Sequence, residues 1–263
     1  MNSIPYRIIG FFTLLLVILG TPAIAKEIPT ATPESVGMST ERLKRIAPAM
    51  QKYIDQSLTP GVITAVLRKG KLVHFKVQGD MDVDANTAMR DDAIFRIASM
   101  TKPIASVALM MLWEEGHFQL RDPVAKFIPA FANVKVKAEG APDTLVALKR
   151  PIQIRDMLTH TAGLANSYRG DIEAYRAAFA GAPVKDNAEL IAKLTTLPLN
   201  YQPGEDWQYS IATDVVGHLV EIISGRSLDE FLANRIFAPL DMTDTHFYLD
   251  PSKAPRLTTQ YTP

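Results

Sequence analysis

The stretch Phe95-Arg96-Ile97-Ala98-Ser99-Met100-Thr101-Lys102-Pro103 decides how the rest of this chain is read. Behind it, Ile104, Ala108, Met111 and Leu112 recur at helical spacing. That pattern predicts a helix from about Ser99 to Glu115 with those four as its buried stripe. Gly116 stands where a C-terminal cap belongs. Ser99 and Lys102 are three apart, so on that helix they share a face. A serine hydroxyl is a weak nucleophile until a base removes its proton. A lysine becomes such a base when burial or a neighbouring cation lowers its pKa. A helix N-terminus also disfavours the protonated amine and favours an oxyanion. The Ser-x-x-Lys spacing alone arises by chance in many chains. Pro103 disfavours helical geometry at Lys102, so a tight or irregular helix start is expected.

Upstream, Ser39 can cap a helix in which Leu43, Ile46, Met50 and Tyr53 keep helical spacing to about Gln56, before Pro60-Gly61 breaks it. Two strands, Val62 to Leu67 and Leu72 to Val77, flank the turn signal Arg68-Lys69-Gly70-Lys71. The first is almost continuously apolar, which predicts burial of both its faces. Gly79 to Asp92 reads as loop. Downstream the signals are mainly helical: Ile154 to Leu158, Ala188 to Leu194, Ala212 to Ile223 and Leu228 to Ile236. No clear strand is expected after Asp250. A two-stranded hairpin alone is marginal in water, so the pattern leaves the hairpin in need of partners.

Composition sets bounds. The chain has 263 residues, 47% of them apolar and 21% charged, which is ordinary for a globular protein and long enough for a sizeable core. Lys plus Arg equals Asp plus Glu at 28 each, so charge gives no reason to expect a nucleic-acid partner. There are no cysteines, which excludes disulfides, thiolate metal sites and a cysteine nucleophile. His74, His117, His218 and His246 show no metal-ligand spacing, and neither metal nor cofactor is expected. At the N-terminus, Arg7 precedes an apolar run from Ile8 to Leu19, then Ala23-Ile24-Ala25 before Lys26. The run is shorter than the roughly 20 residues of a membrane span. Residues 1–25 therefore read as a signal peptide cleaved after Ala25, giving a periplasmic or secreted protein without a stable membrane anchor.

A second residue joins the serine–lysine pair. Tyr209, in Gln208-Tyr209-Ser210-Ile211, precedes an apolar helix, and a phenol whose pKa a cation lowers can relay protons. Further segments follow in order: Leu158-Thr159-His160-Thr161-Ala162-Gly163-Leu164, Tyr201-Gln202-Pro203-Gly204-Glu205, Ser224-Gly225-Arg226-Ser227 and Pro239-Leu240-Asp241-Met242. From about Pro33 onward the chain resembles the serine β-lactamase and penicillin-binding-protein superfamily, specifically its class C-like and family VIII carboxylesterase branch.

That resemblance implies an α+β, β-lactamase/transpeptidase-like fold: an antiparallel sheet flanked by helices, beside a mostly helical subdomain, with the site between them. The hydrolase domain would occupy 26–263, with 26–98 as the sheet-and-helix part and 99–250 as the mainly helical part. Ser99 would be the acylated nucleophile, with its backbone amide as half of an oxyanion hole. Lys102 would be the general base, and Tyr209 would assist proton transfer. The substrate would be a small ester, a β-lactam or a D-alanyl peptide. Two departures qualify this. Ile211 stands where the β-lactamases of the family carry an Asn, which leans towards the esterases. The third motif, a Lys-Thr-Gly or its equivalents on a strand, is absent, so the C-terminal sheet strands are expected to be missing and the chain truncated. An inactive fragment or ligand-binding pseudoenzyme is the reading from another class.

Competing assignments are weaker. His160 invites a Ser-His-Asp triad, but no Gly-x-Ser-x-Gly elbow exists, so His160 is expected to fix a loop. Trp207 either lines a pocket or belongs to the core. Asp156, Asp171, Asp214 and Glu221 show no paired-carboxylate pattern.

Overall fold

The computed structural model describes residues 28–165, 172–181 and 183–261. The signal-peptide reading of 1–25 and Asp171 therefore lie outside the described residues.

The chain opens with α1 (Thr40–Leu43) and α2 (Ile46–Asp55). Ser39 caps α1 as expected, its Oγ accepting the Arg42 amide at 3.3 Å. Strands β1 (Gly61–Arg68) and β2 (Lys71–Asp82) pair antiparallel, from Gly61 opposite Gly79 to Arg68 opposite Lys71. Lys69 and Gly70 turn the hairpin with φ of 52° and 69°, the two positive values of a type I′ turn. Gly61 is needed where it stands, since a Cβ there would lie 2.5 Å from the Asp80 carbonyl oxygen.

Two expectations for this region are corrected. The strand β1 is half-exposed along most of its length rather than buried on both faces. It is an edge strand, because the described sheet runs β1-β2-β3, with β3 (Thr87–Ala88) on the far side of β2. Nor is Gly79 to Asp92 all loop. Met81 is buried and its carbonyl accepts the Thr259 amide, while Asp82 binds the Thr259 and Tyr261 hydroxyls. Those contacts hold β2 extended to Asp82. Beyond Asp250, Leu257 forms a parallel bridge with Ile94, so extended pairing does occur there, though no named strand does.

The central helix is α3 (Thr101–Glu114), preceded by one 3-10 turn over Ala98–Met100. It ends in a Schellman motif: Gly116 (φ 83°) donates to the Trp113 carbonyl and His117 to that of Leu112. Its fully buried stripe is Ala105, Ala108, Leu109 and Leu112. That is the i, i+3, i+4, i+7 pattern, with Ala105 and Leu109 fully buried in place of the expected Ile104 and Met111. Ile104 and Met111 flank the stripe, packed against the core.

A hairpin of β4 (Val136–Ala138) and β5 (Ala141–Val146) follows, which the sequence pattern did not predict. Then come α4 (Ile154–Leu158), α5 (Ile172–Ala178), α6 (Asn187–Leu194), α7 (Ala212–Ser224) and α8 (Leu228–Leu232). The expected helix to Ile236 is interrupted: α8 gives way to a π-turn over Ala233–Phe237. The core lies where α3 and α7 pack, with Leu109, Leu112, Val215, Val216 and Leu219 beside Met157, Phe118 and Phe231. This helical core fixes the start of α3 against the start of α7, and those two ends carry the site.

Candidate active site

Ser99 sits in the 3-10 turn before α3. Ala98 enters that turn at φ 42°, in the left-handed region that residues with a Cβ avoid. The tight start expected from Pro103 is what the structure has. Pro103 occupies the first turn of α3, where its missing amide removes no intrahelical bond. Ser99 is exposed at this end, while Lys102, one turn on, is half-buried.

Tyr209 arrives from the segment just before α7. Its hydroxyl donates to Ser99 Oγ at 2.6 Å. Lys102 Nζ donates to the same oxygen at 3.2 Å and lies 4.8 Å from the centre of the Tyr209 ring. Hydrogen bonds to Lys102, and secondarily to Ser99, hold the Tyr209 phenol below its ordinary value of 10.0. The three side chains singled out in the sequence therefore meet at one oxygen.

His160 is a loop residue, as expected, and among the described residues no Ser-His-Asp geometry forms around Ser99. Its ring lies 4.9 Å from that of Tyr209, and Trp207 packs edge-on against it at 6.3 Å. Trp207 is 56% exposed, which removes its core alternative. Ile211 stands at the N-cap position of α7, makes no capping hydrogen bond with its side chain, and packs against the core.

A cavity of 670 Å³ opens beside Lys102. Ala98, Thr101, Asp214, Leu228 and Tyr248 are among its walls. Protein crowding its carboxyl raises the pKa of Asp214, although solvent still reaches the residue, and the charge of Lys102 opposes that rise. Asp214 shows no paired-carboxylate pattern in the sequence; its position five residues after Tyr209, in the first turn of an apolar helix, is the signal that places it here. A separate cavity of 710 Å³ is lined by Lys149, Arg150, Arg155 and Gln202 to Glu205, and touches none of the three converging side chains. Asp156 lies on its wall, buried and paired two-fold with Arg150 at 2.6 and 2.9 Å. Among the described residues no cluster of His, Asp and Glu suits a metal ion, and no helix is long and apolar enough to cross a membrane.

The Beta-lactamase family matches residues 46–263. The chain belongs to that family. A Mycobacterium tuberculosis protein is 37% identical to this family member over 216 residues, covering 81% of this chain and 54% of the relative. Esterase EstB of Burkholderia gladioli is 30% identical over 214 residues, covering 77% of this chain and 52% of the esterase. Among solved structures, EstCE1, described as a hydrolase with promiscuous acyltransferase activity, superposes with a TM-score of 0.74 at 26% identity, covering 84% of this chain and 57% of that one. The chain thus spans about half the length of the relatives it matches, and its fold is of the β-lactamase/transpeptidase type.

Proposed function

We propose that this β-lactamase-family chain carries the nucleophile half of an exported serine carboxylesterase. The observation that supports it most is the convergence of Tyr209 Oη and Lys102 Nζ on Ser99 Oγ, at 2.6 and 3.2 Å. In this reading Ser99 Oγ attacks the ester carbonyl carbon and its proton passes to the Tyr209–Lys102 pair. The proton is assigned to the pair, because both groups lie within hydrogen-bonding distance of Ser99 Oγ. The Ser99 amide, in the first turn before α3, supplies one donor to the oxyanion. Collapse of the tetrahedral intermediate breaks the bond to the alcohol oxygen, which leaves with the proton. Water then attacks the acyl-Ser99 carbonyl and gives its own proton to the same pair. The acid is released and Ser99 regains its hydrogen.

Esters are favoured over β-lactams because Ile211, at the third position of the tyrosine motif, offers no amide to hydrogen-bond. The similarity to EstB points the same way. Export rests on residues 1–25, and N-terminal sequencing of the periplasmic or secreted protein is expected to read from Lys26. The test is to offer the chain a nitrophenyl ester and a chromogenic cephalosporin. The reading predicts ester turnover that Ser99→Ala abolishes, with little or no cephalosporin opening. Cephalosporin turnover without ester turnover, or ester turnover surviving Ser99→Ala, would overturn it.

A further inference from the structure

His160 makes more contacts with the Tyr209 segment than a loop anchor requires. Its backbone has φ 58°, a left-handed conformation that Asn, Asp and His adopt more readily than most side chains. Its carbonyl oxygen accepts the Gln208 amide at 3.0 Å and the Tyr201 hydroxyl at 3.2 Å. The Ser210 amide donates to His160 Nδ1 at 3.3 Å, and Ser210 Oγ lies 3.4 Å from the same nitrogen. Both amides that flank Tyr209 in sequence are therefore bound by one residue, whose ring also lies against the phenol. The tautomer follows. Nδ1 faces an N–H, so it carries a lone pair and the hydrogen resides on Nε2. Ser210 Oγ, which accepts the Ala212 amide at 3.3 Å, is free to donate to Nδ1 as well.

We propose that His160, in its neutral form, is a positioning residue that sets where Tyr209 stands relative to Ser99. The proposal rests on the Ser99–Lys102–Tyr209 reading above. Protonation would place a second N–H against the Ser210 amide and remove the acceptor that seats this segment. The charged and titratable groups around the ring are Lys102 from α3, and Tyr201 and Tyr209 from the segment it binds. Asp156, beyond Thr161, is already paired with Arg150. Burial first, and the charge of Lys102 second, keep His160 below the ordinary 6.5, so the ring is neutral at pH 7. Acidification then disables the site by displacing Tyr209.

Two variants of the full chain test this, each followed by two readouts. One is the rate of Ser99 acylation by a nitrophenyl ester from about pH 5 to 9. The other is the titration of the Tyr209 phenol, by NMR of ring-labelled tyrosine. His160→Asn keeps the left-handed backbone and offers an oxygen that does not titrate. It should retain acylation within about fivefold at pH 8 and have a shallower acid limb than the wild type, since only protonation of the base at Ser99 then remains. His160→Gly keeps the backbone and deletes the ring. It should acylate about 100-fold more slowly, and its Tyr209 phenol should titrate nearer the ordinary value, with melting still cooperative. An asparagine variant that keeps the wild-type acid limb would overturn the proposal. So would a folded glycine variant with wild-type Tyr209 titration. Should the glycine variant not fold, the acid limb of the asparagine variant decides. Absence of acylation in the wild type would refute the functional reading instead, and the Tyr209 titration would still settle the positioning claim.

Discussion

Deleting the Tyr209 hydroxyl removes the shorter of the two contacts on Ser99 Oγ while leaving the ring against His160. Tyr209→Phe should therefore slow Ser99 acylation by about 100-fold or more, the range typical of a lost proton-transfer group. Its denaturation midpoint should barely move, because no buried polar partner is orphaned. The opposite pattern is expected at Asp156, which is 2% exposed. Its carboxylate takes both Arg150 nitrogens and the Gln153 amide at the start of α4. Asp156→Ala leaves a half-buried guanidinium unpaired and should cost about 3 kcal/mol in a denaturant unfolding titration. Ser99 and Lys102 were legible in the sequence because i, i+3 spacing brings side chains together on any helical turn. Tyr209 became legible through the order of its neighbouring motifs. The role of His160 in seating Tyr209 was not. Its contacts depend on a left-handed backbone and on residues some fifty positions away, which no local spacing encodes.

Elements held by local chemistry were the readable ones. The caps at Ser39 and Gly116 and the Lys69-Gly70 turn announced their boundaries. The hairpin of β4 and β5 did not, because Lys137-Ala138-Glu139-Gly140 and Pro142-Asp143 read as loop and the pairing is decided across the turn. The strand β1 carried an apolar run that misled, since apolar continuity reports what a strand tolerates and not which neighbours it has in the described structure. The helix pair α3 and α7 is different. Both helices feed the buried core, α3 through Ala105, Ala108, Leu109 and Leu112 and α7 through Ala212, Val215, Val216, Leu219 and Val220. Leu219 on α7 is 0% exposed against this seam. Leu219→Ala should lower unfolding free energy by about 2–5 kcal/mol. Because the seam sets the start of α3 against the start of α7, the same variant should also lower acylation. A loss of stability with wild-type acylation at low temperature would separate seam from site.

Across the whole molecule, segments far apart in sequence tie the sheet region to the end of the described chain. Arg256 binds Asp244 through Nη1 at 3.0 Å and the Asp92 carbonyl through Nε at 2.8 Å, and Leu257 bridges Ile94 five residues before Ser99. Hydrogen bonds from Arg256, then Lys253, pull the pKa of Asp244 from 3.8 to about 2. Its folded pKa lies below its unfolded one, so the stability it contributes is fully present above about pH 4 and is lost as pH falls towards 2. Solvent reaches 38% of the Asp244 side chain, which screens the pair and keeps that contribution small. Asp244→Asn should lower stability near neutral pH and flatten its decline between about pH 4 and 2, as read from denaturation midpoints along a pH series. The family fold could be inferred from ordered motifs, whereas the pairings of Asp92 with Arg256 and of Ile94 with Leu257 could not, since no local spacing encodes them.

Acylation at Ser99 underlies every step proposed above. It is tested most directly by quenching the chain with acid during reaction with a nitrophenyl ester and locating the acyl group by peptide mass spectrometry. One acyl group is expected, on the peptide containing Ser99, absent from Ser99→Ala and much slower to form in Tyr209→Phe. An acyl group on another residue, or none in a folded sample that turns the ester over, would contradict it.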